Sequence, residues 1–316
     1  GGQNNQAGNN GGTDSHATVG GGFDNYARAS YSTVAGGNTN EINDVAADYG
    51  FIGGGQNNTI TTGTHATVSG GLTNTASGGA STVGGGDANT ASGGRSTVGG
   101  GEGNTASGNR ATIGGGKDNT SSGTRATVSG GDNNTASNFY PAVGGGKNNT
   151  ASGQYSTVSG GLRSVASRYG QFAHASGRFV SDGDAQYCRY IVRTATTDAT
   201  ANVELFLDGT GGSNRITIPE GTAYQFHIYI TSIQQTGNNA KSSEITGLIR
   251  RESGQNATII GQHTDGNKTF NDGGFNPTYT VSADTTNQAL KIDITGIVAT
   301  NIHTVATVDI TEVKYA

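Results

Sequence analysis

The chain has 316 residues, of which 56 are Gly; 31% are hydrophobic, 13% are charged, and there is neither Met nor Trp. So little apolar material excludes an ordinary single-core globular fold and leaves either disorder or strict repetition. A net charge of −5 offers no basic field for nucleic acid, no apolar run is long enough for a membrane-spanning helix, and the single Cys188 excludes an intrachain disulfide. Cys188 reads as a small buried hydrophobe in a strand.

Repetition decides between the two. The opening Gly1-Gly2-Gln3-Asn4-Asn5 matches Gly54-Gly55-Gln56-Asn57-Asn58 in mid-repeat and no initiator Met leads it, so a longer protein is expected, with a signal peptide and a virion-attachment domain both open as what precedes residue 1. Val68, Val83, Val98, Ile113, Val128, Val143 and Val158 then recur every 15 residues. Upstream, Val19, Val34 and Ile52 follow with small insertions, which loops absorb and strands do not. Two and three positions after each of these comes Gly, marking a corner that needs positive φ or close backbone approach. Six positions after comes Asn in nine consecutive coils, Asn25 through Asn149, and identical amides stacked ~4.8 Å apart predict a hydrogen-bonded ladder at a second corner. Ser-Thr-Val and Thr-Ala-Ser segments are the predicted strands. Alternation turns inward the Val, the small residue two before it (Ala66, Ser81, Ser96, Ala111, Ala126) and Ala76, Ala91 and Ala106.

That core is thin. Fully burying one Val contributes roughly 1.5 to 3 kcal/mol, whereas ordering each backbone residue costs about 1 to 2. Three chains packed about one axis would bury a second face and hide edges, so a homotrimer is expected. About ten coils at ~4.8 Å each give a shaft of roughly 50 Å.

Residues 178–316 carry no repeat and read as alternating strands: Tyr187 to Val192, Val203 to Leu207, Tyr224 to Ile233, Ile245 to Ile249, Ala257 to Ile260, Tyr279 to Val281, Leu290 to Ile294 and Val305 to Val313. Turn signals such as Asp208-Gly209 and Asp272-Gly273-Gly274 separate them at sandwich spacing. The expected fold is all-β, a trimeric parallel β-roll or β-solenoid shaft of 15-residue repeats over 1–177, followed by a jelly-roll-like β-sandwich knob over 178–316.

The unit Ser-Thr-Val-Gly-Gly-Gly-Xaa-Xaa-Asn-Thr-Ala-Ser-Gly, at Ser81 to Gly93 and Ser96 to Gly108, resembles the head repeat of trimeric autotransporter adhesins, whose unit is 14 residues, and is similar to repeats of bacteriophage tail fibres. Gly183-Asp184-Ala185-Gln186 followed by Val203 to Gly209 resembles the C-terminal knob of phage tail-fibre proteins. The resemblance implies a tail-fibre or tailspike receptor-binding protein on the virion surface, attached to other virion or tail proteins through a preceding N-terminal region, and binding a host surface polysaccharide. A bacterial trimeric surface adhesin and a structural capsid decoration fibre stay open as alternatives. No nucleic acid, membrane insertion, cofactor or metal is expected.

Two sets of residues are candidates for the glycan. Three positions before each Val runs a stripe of large planar side chains, His16, Tyr31, Tyr49, His65, Ala80, Arg95, Arg110, Arg125, Tyr140 and Tyr155. Its aromatic faces would suit sugar rings and its guanidinium forks would suit carboxylate or phosphate. The bland alternative is an outward turn position where any long residue fits, with Asp87 and Glu102 relieving the charge. In the knob, the loops Thr236 to Ser242 and Thr264 to Phe275 are candidates, with His263, Phe275 and Tyr279 as stacking or hydrogen-bonding groups; ordinary hairpin loops are the alternative. The acid pairs Asp182 with Asp184 and Asp265 with Asp272 lie in turns where Asp is the default residue, and no nucleophile elbow, zinc-ligand spacing or P-loop is present. The expectation is therefore of a protein that is not an enzyme.

Overall fold

The computed structural model describes residues 1–8, 16–43, 46–237, 239–265 and 269–314, and among them every regular element is a strand. The chain divides into two compact units, Gly1–Leu162 and Arg163–Ala316.

The first unit is a parallel β-solenoid. Each coil lays down two two-residue strands, such as Thr82–Val83 and Thr90–Ala91, and each pairs in parallel with its counterpart one coil away: Val83 with Val98, Ala91 with Ala106. A third column, which the sequence pattern does not announce, is made by single-residue bridges that run from Gln3 and Phe23 through Asp87 and Glu102 to Lys147 and Leu162. The longer spacings around Ile52 leave the register intact, because Val34 still meets Ile52 and Ile52 meets Val68. A one-residue slip in the strands would turn the inward set outward.

The corners are fixed by backbone crowding. Gly86 has φ +92°, and a Cβ there would lie 2.1 Å from the carbonyl oxygen of Gly101 in the next coil. The same coil-on-coil approach makes the second glycine of the pair obligatory, while the first has room. The neighbouring Asn side chain closes the corner. Asn104 receives on its own side the carbonyl of Gly100 and on the next coil that of Gly116, donating Nδ2–H at 3.0 and 2.9 Å. Its backbone N–H donates to Oδ1 of Asn89 at 3.0 Å. All nine ladder asparagines are fully buried. Ala66, Ala76, Ala91, Ala106, Ala111, Ala126, Ser81, Ser96 and the column Val and Ile from Val34 onward are buried as alternation requires, and Val19 is half-buried. With so few carbons inside, satisfied amides and backbone ladders supply what apolar volume does not.

The second unit is two-layered. Its large antiparallel sheet runs Phe172–Ser176, Ala185–Thr196, Ile302–Lys314, Thr222–Gln234, Ala240–Arg251 and then Thr258–Thr264 with Phe270–Asn271. A smaller sheet centres on Ala289–Thr295, flanked by Val203–Glu204, Ile216–Thr217 and Thr278–Asp284. Ala185–Thr196, Thr222–Gln234 and Ile302–Lys314 alternate between buried and outward residues, and Tyr190, Phe226, Ile228, Val308 and Ile310 form the inner face of the large sheet. The Tyr279 hydroxyl donates to Ser232 Oγ at 2.9 Å across the layers. The expected strands are present, mostly longer than predicted; Val203 to Leu207 is shorter, with Leu205 and Leu207 still buried. Ile216–Thr217, Phe270–Asn271 and Phe172–Ser176 were not foreseen, being short or hidden where the repeat frays.

One polar knot sits inside this unit. Arg168, its side chain only 10% exposed, donates to the hydroxyls of Tyr224 (2.6 Å), Tyr190 (3.1 Å) and Thr217 (3.2 Å), and lies 4.0 Å from Glu312. Burial works against its charge, but the Tyr190, Tyr224 and Glu312 oxygens outweigh burial and raise its pKa. Gln186 donates to Glu312 at 3.0 Å and clasps the Val165 backbone in both directions.

Candidate functional site

The planar stripe is real, and its geometry corrects one expectation. Its residues from Tyr31 to Tyr155 all have φ between +54° and +60°, so the coil forces each into the left-handed region and aims it outward. His16, Tyr31, Tyr49 and His65 form one continuous stack, with centroids 4.7, 4.9 and 4.8 Å apart and planes within 6° of parallel. Tyr140 stacks on Tyr155 at 5.2 Å, and the Arg125 guanidinium, 5.1 Å from the Tyr140 ring centre, donates to its hydroxyl. Inside the stack each ring face is covered by the next ring, since the coil repeat and the stacking distance coincide. These rings present edges outward, not faces for a sugar.

The arginines are different. Glu102, expected to relieve them, is bridged instead by Lys117 at 2.7 Å, as Asp132 is by Lys147 at 2.6 Å. Among the described residues Arg95 and Arg110 have no ion pair or hydrogen-bonded side-chain partner.

In the second unit the expected residues do not assemble. Phe275 is 4% exposed and belongs to the core, so it has no face to offer. Tyr279 is held by Ser232, with the Lys241 ammonium 5.1 Å from its ring centre. Burial raises the Tyr279 hydroxyl pKa and lowers that of Lys241, which donates to Asn276 Oδ1 and the Pro277 carbonyl at 2.7 Å. Of the two expected loops, Asn238 and Gly266, Asn267 and Lys268 lie outside the described residues.

His263 alone joins a surface site. It stands on the outward face of Thr258–Thr264, and strand register carries it into a row across five strands: Arg189, Asp309, His227, Thr246, His263. Four strand intervals make this row roughly 19 Å long. Two adjoining depressions follow it, one lined by Gln225, Thr246, Leu248, Gln262 and His263, the other by Tyr187, Gln225, His227, Thr246 and Asp309. Arg189 grips Asp309 with Nε and Nη2 at 2.6 and 2.9 Å, and Tyr187 donates to the same carboxylate at 2.5 Å. The Arg189 bond holds the Asp309 carboxyl below its usual range, while burial and then the Asp309 bond raise the Tyr187 hydroxyl. His227 bonds Glu244 and stacks on Tyr229 at 4.3 Å. Tyr187 and Tyr229 remain 36% and 44% exposed. The row is a shallow, mixed-charge groove with aromatic walls, suited to hydroxyl-rich ligands. Sequence reasoning missed all of it but His263, because alternation shows that these residues face outward and not which strands lie side by side.

The acid pairs prove to be turn and ion-pair residues. Asp184 is buried, which opposes ionisation, but backbone N–H groups of Val180, Phe179 and Ser181 donate to it at 2.6 to 2.8 Å and hold its carboxyl below the usual range. Asp182 pairs with Arg163 at 3.0 Å and Arg178 at 2.8 Å. Asp265 and Asp272 use their backbone N–H groups to bond the carbonyls of Glu244 and Ala240. Cys188 is fully buried, and burial pushes its thiol up to about 12, which leaves it inert as a nucleophile. No group of metal-binding side chains occurs among the described residues, and no helix of the described chain is long and apolar enough to cross a membrane.

No protein-family profile matches the chain, and no curated protein matches it. Among the solved structures to which it is similar are phage tailspike proteins. Tailspike gp49 of Acinetobacter baumannii bacteriophage Fri1, described as a capsular polysaccharide depolymerase, is 11% identical over 91% of this chain and 59% of its own, with a TM-score of 0.25. The tailspike of Acinetobacter baumannii phage AM24 is 11% identical over 94% of this chain and 55% of its own, with a TM-score of 0.26. That of Acinetobacter phage vB_ApiP_P1 is 10% identical over 96% and 70%, with a TM-score of 0.25. The chain thus spans somewhat over half the length of the first two. Because a structure in this set is named as a depolymerase, an enzyme, the expectation of a protein that is not an enzyme is withdrawn.

Proposed function

We propose that this chain is the polysaccharide-binding part of a phage tail spike or fibre, a homotrimer on the virion surface that attaches to a bacterial surface glycan, with its shaft over 1–177 and its knob over 178–316. The observation that carries the reading is the cross-strand row Arg189, Asp309, His227, Thr246 and His263, which offers a guanidinium, a carboxylate, two imidazoles and a hydroxyl in one exposed groove walled by tyrosines. A chain wrapped into a stiff parallel solenoid suits reach, and an irregular sheet surface suits recognition. Packing three copies would also cover apolar side chains such as Phe23, Phe51 and Leu72, which are 46%, 41% and 40% exposed in the single chain.

The test is an array of bacterial capsular polysaccharides probed with the full chain and with Arg189→Ala and His263→Ala. Wild-type binding that falls about tenfold or more in both variants supports the groove, and wild-type binding untouched by them moves recognition elsewhere. Release of reducing ends from the bound capsule, followed in the same incubation, separates attachment alone from depolymerisation. Absence of binding to every capsule overturns the reading, and light scattering that shows a stable folded monomer overturns the trimer.

A further inference from the structure

The side-chain stack of the first unit has one missing member. Ala80 occupies the stripe position between His65 and Arg95, and the coils on either side are in register: Ala80 N–H donates to the Thr64 carbonyl and Arg95 N–H to the Gly79 carbonyl, both at 2.8 Å. Thr67, Thr82 and Thr97 pair in sequence, so the Ala80 coil is a regular rung. Rings on adjacent rungs upstream lie 4.7 to 4.9 Å apart. Two rungs therefore separate the stripe positions of His65 and Arg95 by roughly 9.6 Å. One further ring fits between them at the spacing the upstream rings already use.

The floor of this gap is bare. Ala80 is exposed, and a Cβ built on Gly79 would meet nothing within 4 Å. His65 has Tyr49 against one ring face and no other ring contact among the described residues, so it is the inner end of the stack and shows its second face to the gap. Arg95 holds the stripe position on the opposite side, with Arg110 one coil beyond, and neither guanidinium has an ion-pair partner among the described residues. A site walled by an imidazole face and an unpaired guanidinium favours a flat or chair-shaped ring that carries a negative charge.

We propose that the gap at Ala80 is a ring-binding slot that takes one acidic pyranose residue of a polysaccharide, with its C–H face on His65 and its carboxylate on the Arg95 fork, while Arg110 meets the acid of a neighbouring residue. The ligand class rests on the reading of the protein as a polysaccharide binder; the slot is a second site, on the repeat unit rather than in the sheet groove.

The test fills the gap. Tyr31, Tyr49, Tyr140 and Tyr155 hold φ of +57° to +60° in this same column, so Ala80→Tyr adopts a conformation that the coil already imposes on tyrosine. Binding of oligogalacturonate and of neutral maltohexaose is measured by calorimetry on the full chain, together with thermal unfolding. The wild type is expected to prefer oligogalacturonate. Ala80→Tyr should weaken that binding at least tenfold with unfolding temperature unchanged or raised, and Arg95→Ala should weaken it similarly. Equal affinity of wild type and Ala80→Tyr, no preference for the acidic probe, or no binding of it overturns the slot. Capsule binding by the wild type in the face of such a result leaves the wider reading standing, and only its absence removes that too.

Discussion

The two units reach order by opposite routes. In Gly1–Leu162 the buried side chains are small, and the same amide occupies the same corner coil after coil, each Asn satisfied by carbonyls above and beside it. In Arg163–Ala316 large side chains such as Tyr190, Tyr224 and Phe226 fill the inner face of a sheet, and one buried cation, Arg168, ties the hydroxyls together. A repeating unit can replace apolar volume with hydrogen bonds because each ladder Asn meets the same partners one coil away. A non-repeating unit has no such guarantee and depends on packing.

The largest effect should come from breaking the amide ladder. Replacing Asn89, Asn104 and Asn119 together by Ala leaves carbonyls and N–H groups unsatisfied in three adjacent coils, at about 1 to 3 kcal/mol for each buried group. The thermal transition of the solenoid should move to lower temperature, and proteolysis should open the chain between Thr82 and Val128. An unchanged melting profile would show that solvent, not the ladder, satisfies those corners.

A smaller but still severe loss is expected in the other unit from Arg168→Met, which strands Glu312 with two tyrosine hydroxyls in the interior and costs about 3 to 5 kcal/mol. Arg168→Lys should rescue little, because one ammonium cannot reach Thr217, Tyr190 and Tyr224 as the planar fork does. Full rescue by Lys would reduce the knot to a point charge.

Acid should separate the units most gently. Asp184 and Asp309 have folded pKa values below their ordinary ones, so the unfolded chain takes up protons first as pH falls. The stability they contribute is complete above the unfolded value of about 3.9 and drains away as pH drops through the lowered folded values. The second unit should melt progressively earlier below about pH 4, while the solenoid, whose ladder is made of amides and glycines that do not titrate, should hold its transition. Parallel loss in both units would refute this division, and Asp309→Asn should blunt the acid sensitivity of the second.

Periodicity made the solenoid legible down to single columns: the 15-residue repeat, the Asn ladder, the obligatory corner glycine and the inward Val all follow from requiring identical coils to stack. The planar stripe was legible as a column, but its chemistry was not. That neighbouring rings cover one another depends on the coil rise matching a stacking distance, and that Ala80 leaves a gap depends on its rung staying in register. In the second unit the alternation of Thr222–Gln234 and Ile302–Lys314 revealed strands, yet Phe275 looked like a loop aromatic and is core, while Arg168, which no sequence pattern singles out, is the centre of a buried network.

What the amino-acid order determined alone was therefore the two strand columns and corners of the repeat, its inward set, most strands of the second unit and the all-β class. Tertiary structure decided which strands became neighbours, and with that the row of Arg189, Asp309, His227, Thr246 and His263. In a solenoid the neighbour of a residue is one period away and can be read off the sequence. In an antiparallel sheet closed by long connections it lies tens of residues off, at a distance that no local pattern encodes.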